Sequence, residues 1–322
     1  MNSNLIYDTF RNLDRLFKFR FIIKTKSPLL IKAAENKYSV SDKHMEFIRD
    51  ENNRIYIPGS SLKGFFRINS ERLAKSLGID VCDIIHNSCI NKNFNPNINK
   101  DQTDFDPKTY KLCDICELFG SSGMASRIIF EDSYLIGDPS FDRRVGIAVN
   151  RKTQSVYQGP FTFETLITGS KFSLNFTIRK FTITDLALVQ LVRMAASKGL
   201  IQIGGFKSKG YGYIEIIQND SQNNNNNHQN NNNNSQMIII GSQKNNIIYS
   251  NGEKFFDINN NEFYIPIKRK KLSQPNLETI KIDDKPLIIN DIESMFEITL
   301  SNNAIDTILK SSLETYINKS KE

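Results

Sequence analysis

The chain has 322 residues, 39% of them apolar, which is enough for one large domain or two modest ones around a packed core. Its 42 Lys and Arg against 35 Asp and Glu leave a net charge of +7, a balance that favours a polyanionic partner. There is no run of 18 apolar residues, and Met1 to Asp8 have neither a basic n-region nor an apolar h-region. No membrane-spanning helix is therefore expected, a cytoplasmic location is expected, and the four cysteines are better metal ligands than disulfide partners.

In chain order, Phe17-Lys18-Phe19-Arg20-Phe21-Ile22-Ile23-Lys24 alternates apolar with basic residues over part of its length, the period of a half-buried strand, and Ser27-Pro28 ends it. A polar loop over about 33–54 leads to Ile57-Pro58-Gly59-Ser60-Ser61-Leu62-Lys63-Gly64 and then to a helix from about Ser61 to Leu77. In that helix Leu62, Phe65, Phe66, Leu73 and Leu77 share one side, while Lys63 and Arg67 lie i,i+4 on another. Glycine lets a backbone approach a ligand closely, and Ser60 and Ser61 either cap the helix or donate to a phosphate. The G-x-x-x-x-G-K-[ST] spacing of a Walker loop is absent.

Residues 78–120 form an insertion that holds Cys82, Cys89, Cys113 and Cys116. The Cys113-x-x-Cys116 half has the spacing with which two thiolates grip one tetrahedral Zn²⁺, and metal binding would supply folding energy that this Asn- and Lys-rich stretch cannot draw from a core. A site with four protein ligands is structural, and His86 could replace one of the first two cysteines; the plain alternative is four unrelated thiols. Arg127-Ile128-Ile129-Phe130 returns to strand character, and a long hairpin is expected over roughly 145–179. The basic segment from Arg143 to Ser155, with Arg151 as a candidate RNA contact, falls in its first part.

Thr184 to Lys198 predicts a second amphipathic helix capped by Thr184. After it, Gly204-Gly205-Phe206-Lys207-Ser208-Lys209-Gly210-Tyr211-Gly212-Tyr213 sets two lysines among glycines, with tyrosines alternating on an emerging strand. The lysines suit an RNA backbone and Tyr211 a stacked base; the alternative is a turn whose tyrosines pack in the core. Residues 219–236 are almost pure Asn, Gln and Ser, either a disordered linker or an expansion within one surface loop. Beyond them, 237–322 carries a basic cluster, Lys268 to Lys271, and a helix from Ala304 to Ile317, without a motif that assigns it a role. The order strand, helix, strands, helix, strand predicts an α+β protein of modified ferredoxin-like or RRM type over residues 1–218.

Jointly these stretches resemble the RAMP superfamily, and within it the repeated backbone subunit of type III CRISPR effector complexes. The resemblance covers about residues 17 to 218 and rests on Tyr56 to Gly64, on Cys113-Asp114-Ile115-Cys116-Glu117-Leu118-Phe119-Gly120 followed by Ser126 to Phe130, on Val149-Asn150-Arg151-Lys152-Thr153, and on the late glycine motif. It implies a modified RRM whose copies stack along the CRISPR RNA, with other type III subunits and a complementary target RNA as partners. By this resemblance Ser60, Ser61, Lys63, Arg67, Lys207 and Lys209 would grip the guide backbone, and residues near 145–160 would form a thumb intruding into the guide–target duplex. Some members cut target RNA with a divalent metal such as Mg²⁺ and an aspartate in the loop before the Ile-Pro-Gly-Ser motif. Here the string Glu46-Phe47-Ile48-Arg49-Asp50 puts that position on His44, and Asp42, two residues earlier, is the candidate catalytic acid. A single-copy capping or adaptor subunit and a stand-alone metal-dependent endoribonuclease remain as alternatives.

Overall fold

Alternation along the first strand sets the architecture. In β1 (Arg15–Thr25), Phe17, Phe19, Phe21 and Ile23 are buried, whereas Leu16, Lys18, Arg20 and Ile22 are half-buried on the opposite face. The computed structural model describes residues 13–32, 44–45, 47–83, 89, 112–121, 124–219, 234–268, 277–292 and 294–320. After β1 come β2 (His44–Met45), β3 (Tyr56–Ile57), α1 (Gly59–Ser76), α2 (Asp114–Phe119), β4 (Ile128–Phe130), β5 (Ser133–Ile136), β6 (Phe141–Val149), β7 (Val156–Leu166), β8 (Lys171–Arg179), α3 (Ile183–Ser197) and β9 (Ile214–Gln218). The chain ends in β10 (Gln236–Lys244), β11 (Ile247–Ser250), β12 (Glu253–Asp257), β13 (Glu262–Pro266), β14 (Leu277–Lys281), β15 (Leu287–Ile292), β16 (Met295–Thr299) and α4 (Asn302–Ser320).

The protein is α+β, a mixture of helices and antiparallel sheet. β1 pairs with β8 along most of its length, β8 pairs with β4 and β5, and β9 takes the other edge of β1 from Phe21 to Thr25. Phe19 stacks on Phe176 of β8 with ring centroids 4.8 Å apart, and α1 and α3 pack together over this aromatic row. Each such Phe contributes about 1.5–3 kcal/mol through burial.

Four expectations need correction. α1 begins at Gly59 without a side-chain cap; its first amide, that of Gly59, donates instead to Asp132 Oδ1 at 2.7 Å. α3 is capped by Thr182, not Thr184, through a capping box in which Thr182 and Asp185 exchange hydrogen bonds. It is also buried almost all round, since α4 covers the side that an amphipathic helix would expose; Arg193 of α3 meets Asp306 of α4 at 2.5 Å. The expected long hairpin divides: β6 and β7 form a hairpin in a separate three-stranded sheet with β2, while β8 turns back into the main sheet.

Residues 236–320 belong to the same body. β10 continues along the edge of β1 that β9 occupies, pairing Gln236 with Lys18 and Ile239 with Arg15, and also pairs with β16. One apolar cluster runs from Phe17 through Leu186 to Phe256 and Ile305. Among the described residues no helix is long and apolar enough to cross a membrane.

Candidate nucleic-acid interface and metal centre

Both glycine motifs meet on one groove. A cavity of about 470 Å³ is lined by Ile31 and Lys32 after β1, by Ser61, Gly64, Phe65 and Ile68 of α1, and by Ile203, Gly204, Gly205 and Lys207. Close backbone packing forms it. A Cβ on Gly59 would lie 2.6 Å from the Phe130 carbonyl oxygen, so only glycine lets α1 start against β4. Gly204 has φ +82°, and a Cβ there would come within 2.3 Å of the Leu30 carbonyl oxygen, while the Gly205 amide donates to that oxygen at 2.9 Å. The second motif is thereby strapped to the segment following β1, with α1 as the facing wall.

Asp132 takes the first amide of α1, so the hydroxyls of Ser60 and Ser61 are not used as caps, and both residues are exposed. Lys63 is half-buried one turn on; desolvation, and then the neighbouring Arg67 charge, hold its pKa below the usual lysine value. Lys207 and Lys209 are exposed on a short 3-10 turn, with Lys209 Nζ 4.4 Å from the Phe206 ring centroid. Of these, Ser61 and Lys207 line the concavity together with Lys32 and close-approaching glycine backbone, groups of the kind that can donate to phosphate oxygens.

Two RNA-binding candidates sit elsewhere than expected. Tyr211 is buried, packed edge-on against Phe163 and Phe206, and its hydroxyl accepts from Arg144 Nη1 at 2.9 Å. It fixes the second motif to the β6–β7 hairpin and offers no ring face for a base. Arg67 does not lie on the exposed side of α1: it turns toward α2, donating from Nη1 to the Gly120 carbonyl at 2.9 Å and contacting Cys116 Sγ at 3.8 Å through Nη2. Arg151 is exposed in the turn between β6 and β7, where the Asn150 side chain accepts from the Lys152 amide. Val145, Ile147, Val149, Val156 and Tyr157 of the same hairpin are exposed as well. Asp42 and His86 lie outside the described residues, and of His44 only the backbone, in β2, is described.

Cys82, Cys89, Cys113 and Cys116 do converge, their sulfur atoms all lying within 4.8 Å of one another. Cys82 Sγ is 3.4 Å from Cys116 Sγ and 3.6 Å from Cys113 Sγ, close to the ~3.8 Å edge of a tetrahedron with Zn–S bonds of about 2.3 Å. The Cys113 amide donates to Cys89 Sγ at 3.3 Å, a contact suited to a thiolate. A hydrogen bond from Cys116 holds Cys113 down at about 4, whereas burial pushes Cys89 up to about 12 and the Cys113 contact pushes Cys116 up as well. Four thiols this close cannot all ionise unaided, and a divalent cation would remove that conflict. The cluster could hold a metal ion, and its chemistry suits structural Zn²⁺.

The sequence alone left several contributors unnoticed: Asp132, Lys32, Arg144, and Asp114 on the C-x-x-C helix, which pairs with Lys268 at 2.9 Å and accepts from the Tyr316 hydroxyl at 3.1 Å. Their partners are remote in sequence, so no local pattern marked them.

The molecule is an α+β body with a glycine-walled groove that carries Lys32 and Lys207, and with a tetracysteine cluster that could hold a metal ion. The model of the RAMP superfamily matches residues 22–215, more than half of the chain, and the protein belongs to that superfamily, which in general comprises CRISPR-associated RNA-binding proteins. A search of curated proteins finds no match to this chain.

Proposed function

We propose that the protein binds CRISPR RNA within a type III interference complex in the cytoplasm, holding the guide backbone in the groove and presenting its bases to a complementary target RNA. One observation supports this: two glycine motifs far apart in sequence share one concavity, lined by Ser61 and Gly64 of the first, Gly204, Gly205 and Lys207 of the second, and Lys32 after β1. Contacts of this kind hold phosphates irrespective of sequence and leave target choice to base pairing. The strand order β9, β1, β8, β4 with α1 and α3 on one face supports the ferredoxin-like assignment, and the β6–β7 hairpin is the proposed thumb. Residues 236–320 extend the edge of β1, which favours a second reading, a single-copy capping or adaptor subunit of the same complex.

Fluorescence anisotropy with a cognate guide RNA tests the groove. Lys32→Ala and Lys207→Ala should each weaken binding irrespective of sequence and each flatten the salt dependence by about one unit of slope. Unchanged affinity in the double variant would remove the groove from the RNA path. With the other subunits, Mg²⁺ and complementary RNA present, cleavage lost in Asp42→Ala would add a catalytic step at that residue, and no cleavage in the wild type would leave a scaffold.

A further inference from the structure

α1 reaches both the groove and the cysteine cluster. Ser61, Gly64, Phe65 and Ile68 line the groove, while Arg67, among them in sequence, turns the other way. Its Nη1 holds the Gly120 carbonyl, its Nη2 lies 3.8 Å from Cys116 Sγ, and its Nε is buried with no hydrogen-bond partner among the described residues. A tetrathiolate holding one divalent ion carries two net negative charges in a buried place, and a guanidinium against its sulfur offsets them where water cannot. Gly120, which closes α2 at φ +84°, could not carry a side chain, since a Cβ would lie 2.8 Å from the Ser126 amide nitrogen. The carbonyl that Arg67 grips is thus fixed in place. On the far side, Lys268 and Tyr316 hold Asp114 of the same helix.

We propose that Arg67 is a positioning residue of the metal centre and that, through it, metal occupancy sets the placement of the groove-lining side of α1. The second half of this inference rests on the groove being the RNA site; the first half does not.

The experiment uses the full chain loaded with Zn²⁺. Zinc release to a chromogenic chelator is followed in parallel with anisotropy of a single-stranded RNA probe, and far-UV circular dichroism monitors the fold. Arg67→Met should release zinc about tenfold faster than wild type with an unaltered dichroism spectrum. Wild type stripped of zinc should bind the probe several-fold more weakly than the loaded protein, whereas Arg67→Met should bind alike in both states. Release from Arg67→Met at the wild-type rate, or equal RNA affinity of loaded and stripped wild type, overturns the proposal. If Arg67→Met does not fold, Arg67→Lys takes its place: it keeps the charge without the fork and should release zinc at an intermediate rate, and release as slow as wild type overturns the proposal. Lys207→Ala separates the two readings, because it should weaken RNA binding and leave zinc release unchanged. Should it leave RNA binding unchanged, the groove assignment fails while the zinc-release arm still stands or falls on its own.

Discussion

Arg127 is among the largest side chains fully withdrawn from solvent, and every arm of its guanidinium is engaged. It meets Asp185 through two bonds of 2.5 and 2.6 Å, and Nε donates to the Glu117 carbonyl at 2.9 Å, so α2 and α3 are joined through one side chain. Removing one partner of a buried pair leaves the other charge uncompensated. Arg127→Met should therefore lower the unfolding free energy, measured in urea, by about 3–5 kcal/mol; a loss below about 1 kcal/mol would show that Asp185 finds other partners. The sequence marked this arginine only as the start of a strand, because its partner lies 58 residues away. A pair of glycines makes a second contrast. Gly204→Ala meets a positive φ and the Leu30 carbonyl, whereas at Gly205 a Cβ would find Leu30 Cδ2 at an ordinary 3.7 Å. The first substitution should cost about 1–3 kcal/mol, the second well under half of that, and thermal melts of the two would reverse in order if the backbone there were free to relax.

The helices were legible as elements and misjudged at their surfaces. The periods of α1 and α3 show in the chain because buried side chains must recur every three or four residues. Thr182-Ile183-Thr184-Asp185 spells a capping box, but Thr184 is also a permitted cap, and only the Asp185 contact decides between them. Thr182→Ala should destabilise by about 0.5–2 kcal/mol, with Thr184→Ala costing its own hydrogen bond to the Ile267 carbonyl instead of a cap. A hydrogen-exchange experiment tells these apart: loss of the cap should release protection in the first turn of α3, and loss of the Ile267 contact should not. The outer side of α3 was expected to face water. Its cover, α4, lies more than a hundred residues downstream, and nothing local to α3 announces that it will be buried twice.

At the scale of the whole molecule, the two glycine motifs and the four cysteines were recognisable because backbone approach and thiolate chemistry restrict residue type, whereas the role of residues 237–322 depends on pairing that no motif records. Since β10 and α4 complete the core, a chain ended at Gln218 should lose the cover of α3 and one edge of β1; it should appear in inclusion bodies or as a molten species by near-UV dichroism, and a cooperative melt from it would contradict the single core described above. The register along β1 adds a last point. β9 ends with Gln218 opposite Phe21, and β10 begins with Gln236 opposite Lys18, both antiparallel to β1, so the two strands follow one another along the same edge, three residue steps apart with Phe19 and Arg20 between them. That is roughly 10 Å, a gap that two residues would close. The Asn-rich tract therefore enters and leaves the sheet at nearly the same point, like a stitch dropped from one continuous strand. Residues can be added to or removed from the tract without shifting any register, and a fluorescent reporter with adjacent termini could be spliced there without parting β9 from β10.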